Sequence, residues 1–189
     1  MKDAYVLLGA DREKLMELSR QLFDTDESAA IHLAPGNPID FLEELPRKLA
    51  EAGQKLCRII SLVDAAQLER RGELAPWFEM LCHFSDVVLL ENTQPVSPAW
   101  LSALKKRVKG TPLLLAEWPL RGNGIPTGEI IYPEARRISQ YFEDEVGDGI
   151  PIFSGDDDET VDEEDDPPVE ERYFVRDAAG RRFVKIVAP

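Results

Sequence analysis

Two apolar runs of buried-strand length, Ile59–Val63 and Val87–Leu90, each end in a carboxylate, Asp64 and Glu91. In open α/β sheets the carboxyl ends of the strands form the ligand crevice. Polar residues there are therefore the first place to look for chemistry. Asp64, Glu91, Asn92 and Gln94, with Asp11 after the first strand, are the candidate crevice residues. If the two segments are neighbours, Asp64 and Glu91 face each other as a carboxylate pair of the kind used in acid–base catalysis. The plain alternative is a pair of solvated strand ends. No Gly-x-Ser-x-Gly motif and no Cys/His nucleophile arrangement occurs, so no catalytic residue is expected.

Metal chemistry has little to build on. His32, His83, Cys57 and Cys82 are the soft ligands of the chain, and a tetrahedral site would require all four to converge. Cys82 and His83 are adjacent on a helical pattern and point to different sides, which favours core packing. The acidic run Asp156–Asp166 lacks the glycine and the spacing of a calcium loop. It reads as a solvated spacer, and neither a metal nor a cofactor is expected.

The elements that must position the crevice alternate along the chain. Ala4–Gly9 reads as a buried strand, with Asp11 as cap of a helix whose Leu15, Leu18 and Leu22 share one face. Ala29–Leu33 is a second strand, followed by the turn Pro35–Pro38. Leu42, Leu45 and Leu49 mark a helix that Pro46 kinks or splits, with Gly53 as its stop. Cys57–Val63 is the third strand, Glu73–Phe84 a helix, and Asp86–Leu90 the fourth strand. Ser97-Pro98 starts a helix with stripe Leu101, Leu104 and Val108, and Leu113–Ala116 is the fifth strand. Gly122–Gly128 is expected as a loop and Pro133–Glu143 as a last helix. The alternation specifies an α/β fold, a three-layer, mostly parallel sheet spanning residues 1–143.

Composition divides the rest. Eleven Asp/Glu and no Lys/Arg fall between Asp156 and Glu171, so most of the net charge of −14 belongs to that one segment. Residues 144–171 are expected to be a disordered acidic linker. Residues 172–189 then read as a hairpin, with strands Tyr173–Asp177 and Arg181–Val187 and Gly180 at the positive-φ position. An isolated hairpin is marginal in water. Its apolar side chains Tyr173, Phe174, Phe183 and Ile186 are therefore candidates for docking, on a sheet edge in cis or on a partner. Arg70-Arg71, Lys105–Lys109 and Arg136-Arg137 are short basic clusters that read as solvated helix faces, so no nucleic acid is expected. No apolar run approaches the roughly 18 residues of a membrane span, and the amino terminus does not read as a secretory signal. The two cysteines read as buried thiols rather than a disulfide framework. A cytoplasmic protein of unknown oligomeric state is expected.

The stretch Arg58–Pro119 resembles the CobW-type GTPases, nucleotide-dependent metal chaperones. The resemblance rests on Val63-Asp64-Ala65 after one strand and on ENTQPVSPAWLSAL after the next. It implies a P-loop-NTPase-like fold. The family's motifs are replaced, however. Its Asn-Lys-x-Asp guanine reader stands where this chain has Glu91, Asn92, Thr93 and Gln94. Its Gly-Ala-Gly-Lys-Thr phosphate core is reduced to Gly9-Ala10, followed by Asp11, Arg12, Glu13 and Lys14. Its Cys-x-Cys-Cys metal motif has no counterpart. The expectation is a non-catalytic GTPase-like domain acting as a protein-interaction or scaffold module. The alternatives are a small-molecule or nucleotide-binding enzyme using an altered crevice, a CobW-like metal-handling protein, or a module whose acidic segment does the binding.

Overall fold

The computed structural model describes residues 1–23, 29–120, 125–142 and 170–189. Apolar runs with polar ends make five strands: β1 (Lys2–Gly9), β2 (Ala30–Pro35), β3 (Gln54–Asp64), β4 (Val87–Glu91) and β5 (Leu114–Glu117). All neighbouring pairs are parallel, in the order β2-β1-β3-β4-β5. The three-layer α/β expectation therefore holds. This strand order is that of flavodoxin-type doubly wound sheets, in which the crevice opens at the carboxyl ends of the two central strands, here β1 and β3.

The helices follow their stripes. On one face, α1 (Arg12–Phe23) seats Leu15, Leu18, Leu22 and Phe23 against Tyr5, Leu7, Ile60 and Leu62. On the other, α2 (Ile39–Glu51), α4 (Ala75–Phe84) and α5 (Pro98–Val108) cover Val6, Leu8, Ile59, Val63, Val88 and Leu90. Asp11 and Ser97 cap α1 and α5 as expected, accepting from the backbone N–H of Lys14 at 3.1 Å and of Trp100 at 3.2 Å. Pro46 does not divide α2, which runs as one thirteen-residue helix. A short helix α3 (Ala65–Arg70) and a 3-10 turn (Gly72–Leu74) precede α4. Cys57 and Cys82 are buried free thiols, and burial raises the Cys82 thiol to about 12.

Three expectations are corrected. The last helix forms at Thr127–Ile131 (α6), starting in the last two residues of the expected loop, whereas residues 133–142 are not helical. The reason is tertiary. The buried Asp86 carboxylate takes the backbone N–H groups of Arg136 (2.6 Å) and Arg137 (3.1 Å), and the Arg58 Nε donates to the Tyr132 carbonyl. Arg137, expected on a solvated face, is buried and paired with Asp86 at 3.0 Å. The carboxy-terminal hairpin reduces to a single antiparallel bridge, Arg176 with Arg182, around the expected turn with Gly180 at φ 76°. It joins neither edge of the sheet formed by the five described strands. Residues 170–189 instead form a strap over the α2–α4 face.

The strap's packing is specific. Tyr173 is buried beside His83 and Phe84, and Phe174 stacks on Phe84 at 5.4 Å. Arg176 and Arg182 pair with Asp40 and Glu43 in the first turns of α2. At the strap's foot the Glu171 carboxylate meets the His83 Nε2 at 2.9 Å and accepts from the Ser139 hydroxyl at 2.8 Å. The expected linker, 144–171, lies outside the described residues except for Glu170 and Glu171.

Burial by itself would raise the Glu171 carboxyl, but the bonds from His83 and Ser139 outweigh it and hold the group below its ordinary value. Its contribution to stability is therefore complete above the ordinary carboxylate range. That contribution is lost as pH falls through the lowered folded-state value. Denaturant melts of wild type and Glu171→Gln across pH 3 to 7 should show the variant less stable near neutrality, with the difference shrinking toward acid. A difference independent of pH would exclude this role for the carboxylate.

Candidate functional site

The crevice at the carboxyl ends of β1, β3 and β4 brings together four of the five expected residues. Asp64 and Glu91 are register partners across β3 and β4, so the expected carboxylate pair forms. The Lys14 ammonium, from the first turns of α1, lies between them. It bonds directly to Glu91 and sits 3.9 Å from Asp64. Partial burial opposes the lysine's charge, yet the hydrogen bond and the charges of Glu91, Asp64 and Asp11 together raise its pKa above the ordinary value. Asn92, at φ 54°, donates to the Asp64 carboxylate at 2.8 Å. That left-handed conformation is one asparagine tolerates better than most residues.

Each polar group is thus already engaged. Asp64 also caps α3, accepting from the Gln67 N–H at 2.9 Å. The spacing Asp64–Gln67 has the form of a capping box, a signal that could have revealed α3 in the sequence. Asp11 uses its carboxylate as the α1 cap, with the Glu13 N–H at 2.7 Å. Lys14 is the functional neighbour that the sequence reading passed over. The cavity is about 280 Å³, bordered by Gly9, Lys14, Asp64 and Glu91, with Pro189 of the strap on its wall. That is at or below the lower end of the roughly 300–1,000 Å³ typical of small-molecule pockets.

Gly9 is where the resemblance to a phosphate loop is strongest, and its geometry has another cause. A Cβ on Gly9 would lie 2.9 Å from the Leu62 carbonyl oxygen and 3.0 Å from the Leu15 Cδ2. Glycine is required there because β3 and α1 approach the chain closely, whatever lies in the crevice.

Gln94 sits apart from this cluster. With Glu91, Asn92 and Thr93 it lines a second groove of about 540 Å³ over β4 and β5, which Lys105, Glu117 and Trp118 complete. Thr93 donates to Glu117 at 3.0 Å, and Lys105 pairs with Glu117 at 2.9 Å. Among the described residues no group of three or more His, Cys, Asp or Glu is placed to hold a metal ion. Among the described residues no helix is long and apolar enough to cross a membrane.

Comparisons were made with protein-family models, with curated proteins and with solved structures. None matches this chain.

The four candidates on the strap divide. Tyr173, Phe174 and Ile186 pack inward against the core of their own domain, whereas Phe183 is 67% exposed. From Phe183 onward the strap alternates: Val184, Ile186 and Ala188 face the domain, and Phe183, Lys185 and Val187 face solvent.

Gly9→Ala separates a packing glycine from a ligand-cradling one. It should destabilise the fold by about 1–3 kcal/mol through overpacking against Leu62 and Leu15. Urea denaturation measures this directly, and an unchanged midpoint would show that the close approach is not limiting.

Proposed function

We propose that this chain is a degenerate, non-catalytic P-loop-NTPase-like domain, CobW-like in ancestry and cytoplasmic, that acts by binding a protein partner. The observation that carries the reading is the self-neutralised crevice. Lys14, the lysine that lines the crevice among the described residues, is held by Glu91 and Asp64. The carboxylate after β1 is spent on a helix cap. A nucleotide's phosphates would enter next to Asp11, Asp64 and Glu91, against their charge. Among the described residues that line the crevice, no general base or nucleophile stands unengaged, which is what an enzyme would require there.

The partner-binding surface in this reading is the outer edge of the strap, Phe183 and Val187. These are large apolar side chains left in water, 67% and 52% exposed, on a segment held in place from below. Exposed apolar residues presented on a fixed element suit a protein contact. The strap's rigidity lowers the entropic cost of binding.

A second reading is kept for the 540 Å³ groove. It has the volume of a small-molecule site and is bordered by the Gln94 amide and the Trp118 ring, while its carboxylates Glu91 and Glu117 are already paired with Lys14 and Lys105. In that case the chain is an enzyme or sensor with an altered crevice rather than a scaffold.

Two experiments test the proposal. Calorimetric titration with GTP or ATP and magnesium should give no saturable heat. Micromolar binding altered by Glu91→Ala would replace the scaffold reading with the second one. Affinity capture with wild type as bait should recover a defined partner that the Phe183→Ser/Val187→Ser variant loses at unchanged melting temperature. Equal recovery by both baits, with loss only on deleting residues 144–169, would move the binding function to the acidic segment.

A further inference from the structure

At the opposite end of the sheet from the crevice, a cleft of about 390 Å³ opens between the end of α2, the start of β3 and residues 133–142. Its walls are largely apolar, with Pro46, Leu49, Leu56 and Phe142 contributing. Arg137 also lines it, although its side chain is only 4% exposed. An arginine so deeply set in an apolar wall is there at a desolvation cost, and its charge must be met.

The two buried guanidiniums are not fully satisfied. The Arg137 Nη1 donates to Asp86 at 3.0 Å, and its Nε is buried without a partner among the described residues. Arg58, fully buried on β3, gives its Nε to the Tyr132 carbonyl, and both its Nη atoms are likewise without partners. Two buried guanidiniums thus share the Asp86 carboxylate, because the other buried carboxylate among the described residues, Glu171, is engaged by His83 and Ser139. The nearby Glu129 and Glu134 are exposed and are engaged by Arg136 at 3.9 and 2.9 Å. Burial pushes the Arg58 guanidinium below its ordinary value, while the Asp86 charge acts in the opposite sense. At the rim of the cleft the exposed Lys55 adds another positive charge.

We propose that this cleft is a binding site for a small amphipathic carboxylate, with the apolar body between Leu49, Leu56 and Phe142 and the carboxylate group on the Arg137 guanidinium and the Lys55 ammonium. A planar guanidinium matches a carboxylate in charge and geometry. The volume falls within the roughly 300–1,000 Å³ of small-molecule sites. The bound carboxylate adds negative charge beside the two incompletely satisfied guanidiniums, and Arg58 acts through its field without contact. The site is distinct from the crevice and from the strap, so it stands or falls independently of the partner-binding reading.

The test is calorimetric titration of the full chain with sodium octanoate, with octyltrimethylammonium as a probe of equal alkyl length and opposite charge. Octanoate should bind saturably with one equivalent per chain and more weakly at high salt, and the cation should not. Lys55→Glu, at an exposed position, should weaken octanoate by about tenfold. Leu49→Trp, which fills the cleft, should abolish binding. Absence of saturable octanoate binding, equal binding of the two probes, or an affinity unaffected by Leu49→Trp would each overturn the assignment. If Leu49→Trp fails to fold, an unchanged affinity in Lys55→Glu overturns it instead.

Discussion

A single buried carboxylate holds the lower half of this domain together. Asp86, fully buried just before β4, accepts from the Ile59 N–H of β3 at 2.7 Å, from two successive N–H groups at 136 and 137, and from the Arg137 guanidinium. Its own backbone completes the link, donating to the Ile59 carbonyl and accepting from the Leu114 N–H. One residue therefore joins β3, the start of β5 and the irregular 132–142 segment. Desolvating a carboxylate is tolerable only with such full satisfaction. That requirement is why the segment after α6 is pulled out of helical geometry. Ser139 and Phe142 are placed by that segment, and the strap's foot and the basal cleft are built on them in turn.

Above this hub the strap connects the two ends of the molecule. It is anchored below at His83 and Ser139, clamped midway by Arg176 and Arg182 on α2, and ends on the wall of the crevice at Pro189. The crevice is neutralised chemically, since Lys14, Asp64, Glu91 and Asn92 satisfy one another. A set of polar groups that pair internally offers little to a ligand. The same arrangement stabilises the turn from β1 to α1 and the ends of β3 and β4. Residues whose positions suggest catalysis are here engaged as helix caps and in charge pairs.

What was legible in the sequence shared one property: it was short-range. The strands, the stripes of α1, α2, α4 and α5, the Asp11 and Ser97 caps and the Gly180 turn all follow from neighbours within a few residues. The register of Asp64 beside Glu91 was also accessible, because both end apolar runs that the alternation makes adjacent parallel strands. Gly9 carried the opposite lesson. Its place after β1 suggested a phosphate loop, but the contact that demands glycine is with Leu62, a residue far along the chain.

The features that escaped the sequence reading depend on long-range partners. Nothing near Arg137 in sequence indicates that it will be buried, because its counterion, Asp86, lies about fifty positions earlier. The alternation along 183–187 sets Val184 and Ile186 opposite Phe183 and Val187, whereas the neighbours Tyr173 and Phe174 both pack inward. It could not show that the α2 carboxylates Asp40 and Glu43 would hold the segment on the helical layer instead of at a sheet edge. The sequence by itself determined the layered parallel sheet, since hydrophobic period and turn chemistry are written locally. Only the tertiary structure decided which charges would meet and which would be spent. Electrostatic pairing depends on distance in space, and the chain must be folded before that distance exists.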